Sequence, residues 1–160
     1  MNYEININHQ FTAGSEIEAK DLAKEYVSHH LNVRAVPQQL LNPIQVVEQC
    51  QPLRHKRKEH FCAFFLDTQN NIVGKEIVSI GTLNSSLIHP RECFRAAIRK
   101  SCNAIIVAHN HPSGSIEPSA EDRSVTNRLT QAGTLLGIEV LDHVIVTAHA
   151  HFSFREHGLI

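Results

Sequence analysis

The sequence predicts an α/β domain built on a mixed sheet with helices packed on both faces. Three observations carry that prediction. Ala104 to Ala108 is an unbroken run of small or β-branched apolar residues, the pattern of a short, fully buried strand. Two apolar segments, 59–67 and 72–83, flank Thr68-Gln69-Asn70-Asn71, which is turn chemistry, so they pair as an antiparallel hairpin. Helical patterns alternate with these strands in the order helix, helix, hairpin, helix, strand, helix, strand, strand.

Residues 1–14 are polar apart from Ile5, Ile7 and Phe11, and read as a frayed arm or a strand that needs a partner. From Ser15, the residues Ile17, Leu22, Ala23, Tyr26, Val27, His30 and Leu31 fall near one face of an amphipathic helix ending near Asn32. His29-His30 sits in its last turn, where cations favour the helix dipole. Val33 to Leu41, with Pro37, reads as a linker. Residues 1–41 are therefore expected to form a helical extension and linker, and residues 42–160 the main domain.

Asn42-Pro43 provides an N-cap with proline at the first helical position, and this short helix breaks at Pro52. Arg54-His55-Lys56-Arg57-Lys58 is a basic run, read as a solvated connector with a nucleic-acid patch as the alternative. No interleaved aromatic supports base stacking there. Strand 59–67 and its return 72–83 follow, and Ser85 to Ile88 adds a short edge. A helix starts at His89-Pro90 and runs to about Ser101 through Phe94, Ala97 and Ile98. Next come the strand at Ala104, a helix from Ser119 to Ala132 with Gly133 near its end, and strands at 138–147 and 150–154.

A formal net charge of −1 over 160 residues gives no global attraction to nucleic acid or to an acidic surface. No apolar run reaches the length of a membrane span, and the N-terminus lacks the basic and apolar regions of a signal peptide. The expected compartment is the cytoplasm. Cys50, Cys62, Cys93 and Cys102 form no C-x-x-C, and three lie in apolar patterns, so they read as buried free thiols.

The chemistry gathers where the buried strand runs into His109-Asn110-His111. Side chains alternate along a strand, so the two imidazoles share a face and Asn110 points away. Pro112 and Gly114 end the strand in a loop. Asp122 then stands in the first turn of the next helix, three residues after Ser119. Two nitrogens and one oxygen make three protein ligands for zinc and leave a fourth position open, as in a catalytic site. The spacing alone leaves a second reading open: two ordinary histidines near a capping box made by Ser119 and Asp122. With twelve histidines in the chain, H-x-H pairs also arise by chance. A second pair, His149-Ala150-His151, has no aspartate at a matching distance and reads as half-exposed strand.

The pattern His109-x-His111-Pro112-x7-Ser119-x2-Asp122 resembles the JAMM motif of MPN-type metalloproteases. Its flanks, Ala108-His109-Asn110-His111-Pro112-Ser113-Gly114 and Leu141-Asp142-His143-Val144-Ile145-Val146, resemble the RadC family of that superfamily. Asn110 stands where many eukaryotic members carry Ser or Thr. The resemblance covers about Asn42 to Ile160. It implies the three-layer α/β/α fold of MPN (JAB) domains, one zinc ion on His109, His111 and Asp122, and hydrolysis of a peptide or isopeptide bond. It also implies that Glu59, at the start of the first core strand, takes a proton from the activated water, and that Ser119 assists the oxyanion or the water. From the residues alone, Glu59 reads first as an exposed acid balancing the basic run. Glu92 is the next candidate base, although a helix start explains it, and Glu76 has no special claim. Asp142 and His143 are expected to support the ligands or to make a core hydrogen bond rather than bind the metal.

Two other functions compete: a DNA-repair-associated factor or metal-dependent nuclease, and a non-catalytic scaffold. Against the first, the sequence shows no helix-turn-helix, aromatic platform or strongly basic face, so no strong nucleic-acid binding is expected. The intact metal-ligand pattern argues against the second. The expected partner is a peptide or protein substrate, and a homodimer made through residues 1–41 stays open.

Overall fold

The computed structural model describes residues 38–81 and 88–160. The helix expected from Ser15 to Asn32, and most of the edge expected at Ser85 to Ile88, lie outside the described residues. The elements, in chain order, are α1 (Pro43–Gln49), a 3-10 turn (Gln51–Leu53), β1 (Glu59–Leu66), β2 (Ile72–Gly81), α2 (Pro90–Arg99), β3 (Ala104–Asn110), α3 (Ala120–Leu136), β4 (Glu139–Val146) and β5 (His151–Ser153). The five strands form one sheet in the order β2-β1-β3-β4-β5. β3 and β4 run parallel, and every other neighbouring pair is antiparallel. The fold is α/β with a mixed sheet, as expected.

Alternation along the central strands sorts the core into two layers. Phe61, Ala63, Phe65, Ile105 and Val107 face α2 and α3, where they meet Phe94, Ala97, Val125 and Leu129. Cys62, Phe64, Leu66, Ile106, Ala108 and Val144 face the other way, against Val46 and Val47 of α1, Cys50 at its C-cap and Leu53 after it. β3 is buried along its whole length because both of its faces and both of its edges are covered. All four cysteines are buried and free.

The caps follow the sequence signals. Asn42 Oδ1 accepts from Gln45 N at 3.0 Å ahead of Pro43, and His89 caps α2 ahead of Pro90. One stop differs from expectation. α3 runs through Gly133 to Leu136 and ends at Gly137, whose φ of 68° is the left-handed cap that glycine tolerates. Gly133 has a packing role instead. A Cβ there would collide with the Ile138 carbonyl oxygen and press on Phe94 and Val140, so the missing side chain lets α3 lie close on the start of β4.

Candidate metal centre

The site forms at the end of β3. His109 pairs in register with Phe61 of β1 on one side and Ile145 of β4 on the other. His111 lies just past the strand and keeps one more ladder bond, from its N–H to Val146 O at 3.0 Å. The loop after it folds back, with Gly114 N donating to His111 O at 3.1 Å and Gly114 at a φ of 82°. This loop delivers α3, whose first turn carries Asp122.

His109, His111 and Asp122 converge as the spacing predicted, and the three residues could hold one metal ion. His109 Nε2 lies 2.8 Å from His111 Nε2 and 3.2 Å from Asp122 Oδ1, and His111 Nε2 lies 3.5 Å from Asp122 Oδ2. A tetrahedral ion with bonds of about 2.0–2.2 Å separates its ligand atoms by about 3.3–3.6 Å. The distance from His109 Nε2 to Asp122 Oδ1 is close to that spacing, and the two nitrogens need only open slightly.

The two carboxylate oxygens of Asp122 have different surroundings. Oδ2 accepts from Ser119 N and from Ser119 Oγ, each at 2.8 Å. Ser119 Oγ in turn accepts from Asp122 N at 3.1 Å, which completes the capping box. Oδ1 is buried and accepts no hydrogen bond from the described residues. An orphaned carboxylate oxygen in a wholly buried side chain is costly unless a cation meets it. His111 adds to the demand. Its Nδ1 lies 2.8 Å from Ser115 O, an acceptor only, so Nδ1 donates and the neutral ring has a bare Nε2. Donor type, spacing and the orphaned oxygen all fit a divalent metal.

The electrostatics agree with a site built for positive charge. Burial pushes the Asp122 carboxyl up, but the neighbouring His109 and His111, with the Ser119 backbone, outweigh it and hold the group well below the usual carboxylate range. Burial also pulls His111 down, yet Asp122, the Ser115 carbonyl and the charge of Glu59 together raise it above 6.5. In His109 burial wins over Asp122, and its pKa falls.

Glu59 opens β1, half-buried and two residues before Phe61, so alternation places it on the His109 face at the same end of the sheet. Its charge favours the protonated form of both His109 and His111. Glu92 instead sits on the surface of α2, paired with Arg91 and Arg95 at 3.2 Å each. Glu76 pairs with Lys100 at 3.3 Å. Asn110 points to the opposite face. Its Oδ1 accepts from His60 N at 2.8 Å, and its Nδ2 donates to Lys56 O and Lys58 O at 3.2 and 3.1 Å. The basic run is thereby tied to the strand of the ligands. Arg54 is committed as well, donating to Thr147 O and Ala148 O at 2.6 and 2.7 Å.

His143 is wholly buried, and its Nε2 lies 2.7 Å from His109 Nδ1. A bulge between Ile105 and Ile106 shifts the β4 register by one residue, so that Asp142 pairs with Ile106 and His143 with Val107. Without that extra residue His143 would face α1. Asp142, on the α1 face, accepts from His143 N, Ser153 Oγ and Arg155 N. Thr126, one helical turn after Asp122, meets the other side of the His143 ring at 2.6 Å. Sequence reasoning missed Thr126 because its position on α3 carries no motif.

A family model described as the RadC-like JAB domain matches residues 40–159. The chain belongs to that family. It is 45% identical over 139 residues to a UPF0758 protein of Clostridioides difficile, covering 86% of this chain and 59% of that one. It is 44% identical over 129 residues to a UPF0758 protein of Thermotoga maritima, covering 81% and 58%. A UPF0758 protein of Chlorobaculum tepidum is 56% identical over 103 residues, covering 64% and 46%. The chain spans about half to three-fifths of the length of these relatives. Among the described residues no helix is long and apolar enough to cross a membrane.

Proposed function

We propose that this domain is a zinc-dependent hydrolase that cleaves a peptide or isopeptide bond in a protein substrate, with Glu59 as its general acid–base. The observation that supports the reading is the convergence of two imidazole Nε2 atoms on the Asp122 carboxylate, whose Oδ1, 3.2 Å from His109 Nε2, has no hydrogen-bond donor among the described residues. Two nitrogens and a carboxylate oxygen suit zinc and leave room for a substrate. A bound divalent ion would supply Lewis acidity, acidifying water and polarising the scissile carbonyl.

The remaining work falls to the chain. His109, His111 and Asp122 hold the ion. Glu59, on the same sheet face, removes a proton from the nucleophile and returns it to the departing nitrogen. Ser119 takes the role of assisting the oxyanion. Its hydroxyl donates to Asp122 Oδ2, so that role requires the proton to switch from the carboxylate to the oxyanion during turnover. We take the compartment to be the cytoplasm, which the four free buried thiols support.

The test begins with metal analysis of the purified protein, followed by cleavage of a peptide library and of a ubiquitin-like isopeptide. One zinc per chain is expected. Glu59→Gln should keep the zinc and lose roughly 10²- to 10⁴-fold in turnover, and His109→Ala should lose both. Wild-type turnover by Glu59→Gln would move the base elsewhere. Failure of the zinc-loaded wild type to cleave any amide substrate would remove the hydrolase reading.

A further inference from the structure

We infer that Thr126 and His143 are positioning residues for the metal centre, fixing His109 in the tautomer whose Nε2 carries the lone pair. The inference rests on the reading of His109, His111 and Asp122 as metal ligands. It follows the protons one bond at a time. Thr126 Oγ1 lies 2.6 Å from the Asp122 carbonyl oxygen. A carbonyl only accepts, so the single hydroxyl proton is directed there. The same Oγ1 lies 2.6 Å from His143 Nδ1. With its proton committed, the hydroxyl can only accept, so His143 Nδ1 carries a hydrogen.

His143 is wholly buried and, among the described residues, no carboxylate bonds its ring, so the ring stays neutral and its Nε2 is bare. That bare nitrogen faces His109 Nδ1 at 2.7 Å, and His109 must be the donor. A neutral His109 then has no hydrogen on Nε2, the atom that faces His111 and Asp122 Oδ1. The His143 ring is also held in place. Phe154 stacks on it at 4.7 Å, and Phe61 meets it edge-on at 5.5 Å.

The chain of bonds therefore starts at the backbone of one ligand, Asp122, and ends at the ring of another, His109. It orients the imidazole and makes its far nitrogen more basic, as outer partners of metal-bound histidines do. It also couples α3 to β3: a displacement of the first turn of α3 would move a ligand and disturb the tautomer of its neighbour.

The test compares wild type, Thr126→Val, which keeps the branched shape without the hydroxyl, and Thr126→Ser, which restores it. Ring nitrogen NMR on the metal-free protein reads the tautomers, and competition with a chromophoric chelator reads zinc affinity. Wild type should show the hydrogen on Nδ1 of both His109 and His143. Thr126→Val should lose that pattern and bind zinc about 10- to 100-fold more weakly, with Thr126→Ser close to wild type. A wild-type His109 protonated at Nε2, or a Thr126→Val protein that binds zinc as tightly as wild type, would overturn the inference. If Thr126→Val does not fold, the wild-type spectrum alone decides it. Failure of the metal reading looks different: wild type would bind zinc no better than His109→Ala, while the nitrogen spectra still settle the proton assignment.

Discussion

Replacing Asn110 with alanine should separate ion binding from turnover. Asn110 lies between the two ligand histidines in sequence, but its side chain points to the opposite face and is wholly buried. There it makes three bonds to the segment that leads into and through Glu59. Lys56 and Lys58 are exposed residues, so their carbonyls can turn to water, and each lost bond costs about 0.5–1.5 kcal/mol at most. The half-buried His60 N–H loses its acceptor, which costs about 1–3 kcal/mol. Together these place the loss of stability at about 2–6 kcal/mol, readable as a lower urea midpoint with an unchanged slope. The ligand rings do not touch the side chain in any of these bonds, so zinc affinity should stay within about threefold of wild type. Hydrogen exchange at the His60 amide should accelerate, and turnover should fall at least tenfold as Glu59 loses its fixed neighbour. Asn110→Asp keeps the acceptor but buries a charge and turns its second oxygen onto the Lys56 and Lys58 carbonyls, so it should destabilise at least as much as alanine. A stability loss below about 0.5 kcal/mol with unchanged His60 exchange would refute the clamp. Loss of zinc in proportion to turnover would refute the separation.

Three further outcomes follow from the geometry. Zinc affinity should rise with pH up to the His111 midpoint, which lies above the ordinary histidine value, and level off beyond it: His111 must lose its proton to bind, whereas the lowered pKa of His109 leaves it deprotonated around that midpoint. Calorimetry in buffers of different ionisation enthalpy should count up to one proton released per ion below that midpoint and none well above it. Nucleic-acid binding should be weak and insensitive to sequence, because Arg54 is committed to carbonyls and only Lys56, Arg57 and Lys58 of the run's Lys and Arg residues are exposed. Three phosphate contacts give a slope of about −2 to −3 for log affinity against log salt, and tight sequence-specific binding in physiological salt would contradict it. Gly133→Ala should destabilise the fold in chemical denaturation: helix propensity gains about 1 kcal/mol, but the collision with the Ile138 backbone costs about 1–3 kcal/mol, at the upper end because backbone yields less than a side chain.

The sequence was most legible where local periodicity converts directly into space. Alternation on β3 put His109 and His111 on one face and Asn110 on the other. The Ser119-x-x-Asp122 cap put a carboxylate at the start of the helix that follows. Asn42-Pro43 and His89-Pro90 marked helix starts for the same reason: a cap is a property of three or four adjacent residues. What escaped depends on contacts between distant segments. The bulge that turns His143 toward His109 is one extra residue in a β4 pattern that reads the same with or without it. Thr126 matters only because a residue 17 positions later is brought against it. Gly133 looked like a helix stop because nothing local reveals that β4 passes within contact of its missing side chain.

The β3–α3–β4 unit supplies every candidate ligand and the whole hydrogen-bonded chain behind them, whereas the candidate base comes from β1. β1 is joined to that unit by its ladder to β3 and, at the site end, by the Asn110 clamp. The two parts can therefore fail separately. Damage to Thr126, His143 or the α3 cap disturbs how the ion is held, because each acts on a ligand atom or on the group that aims it. Damage to the clamp disturbs only the alignment of the β1 segment with the ligands. Zinc content and turnover measured side by side across both sets of variants should fall together in the first set and part company in the second. A single undivided network would make them fall together in both.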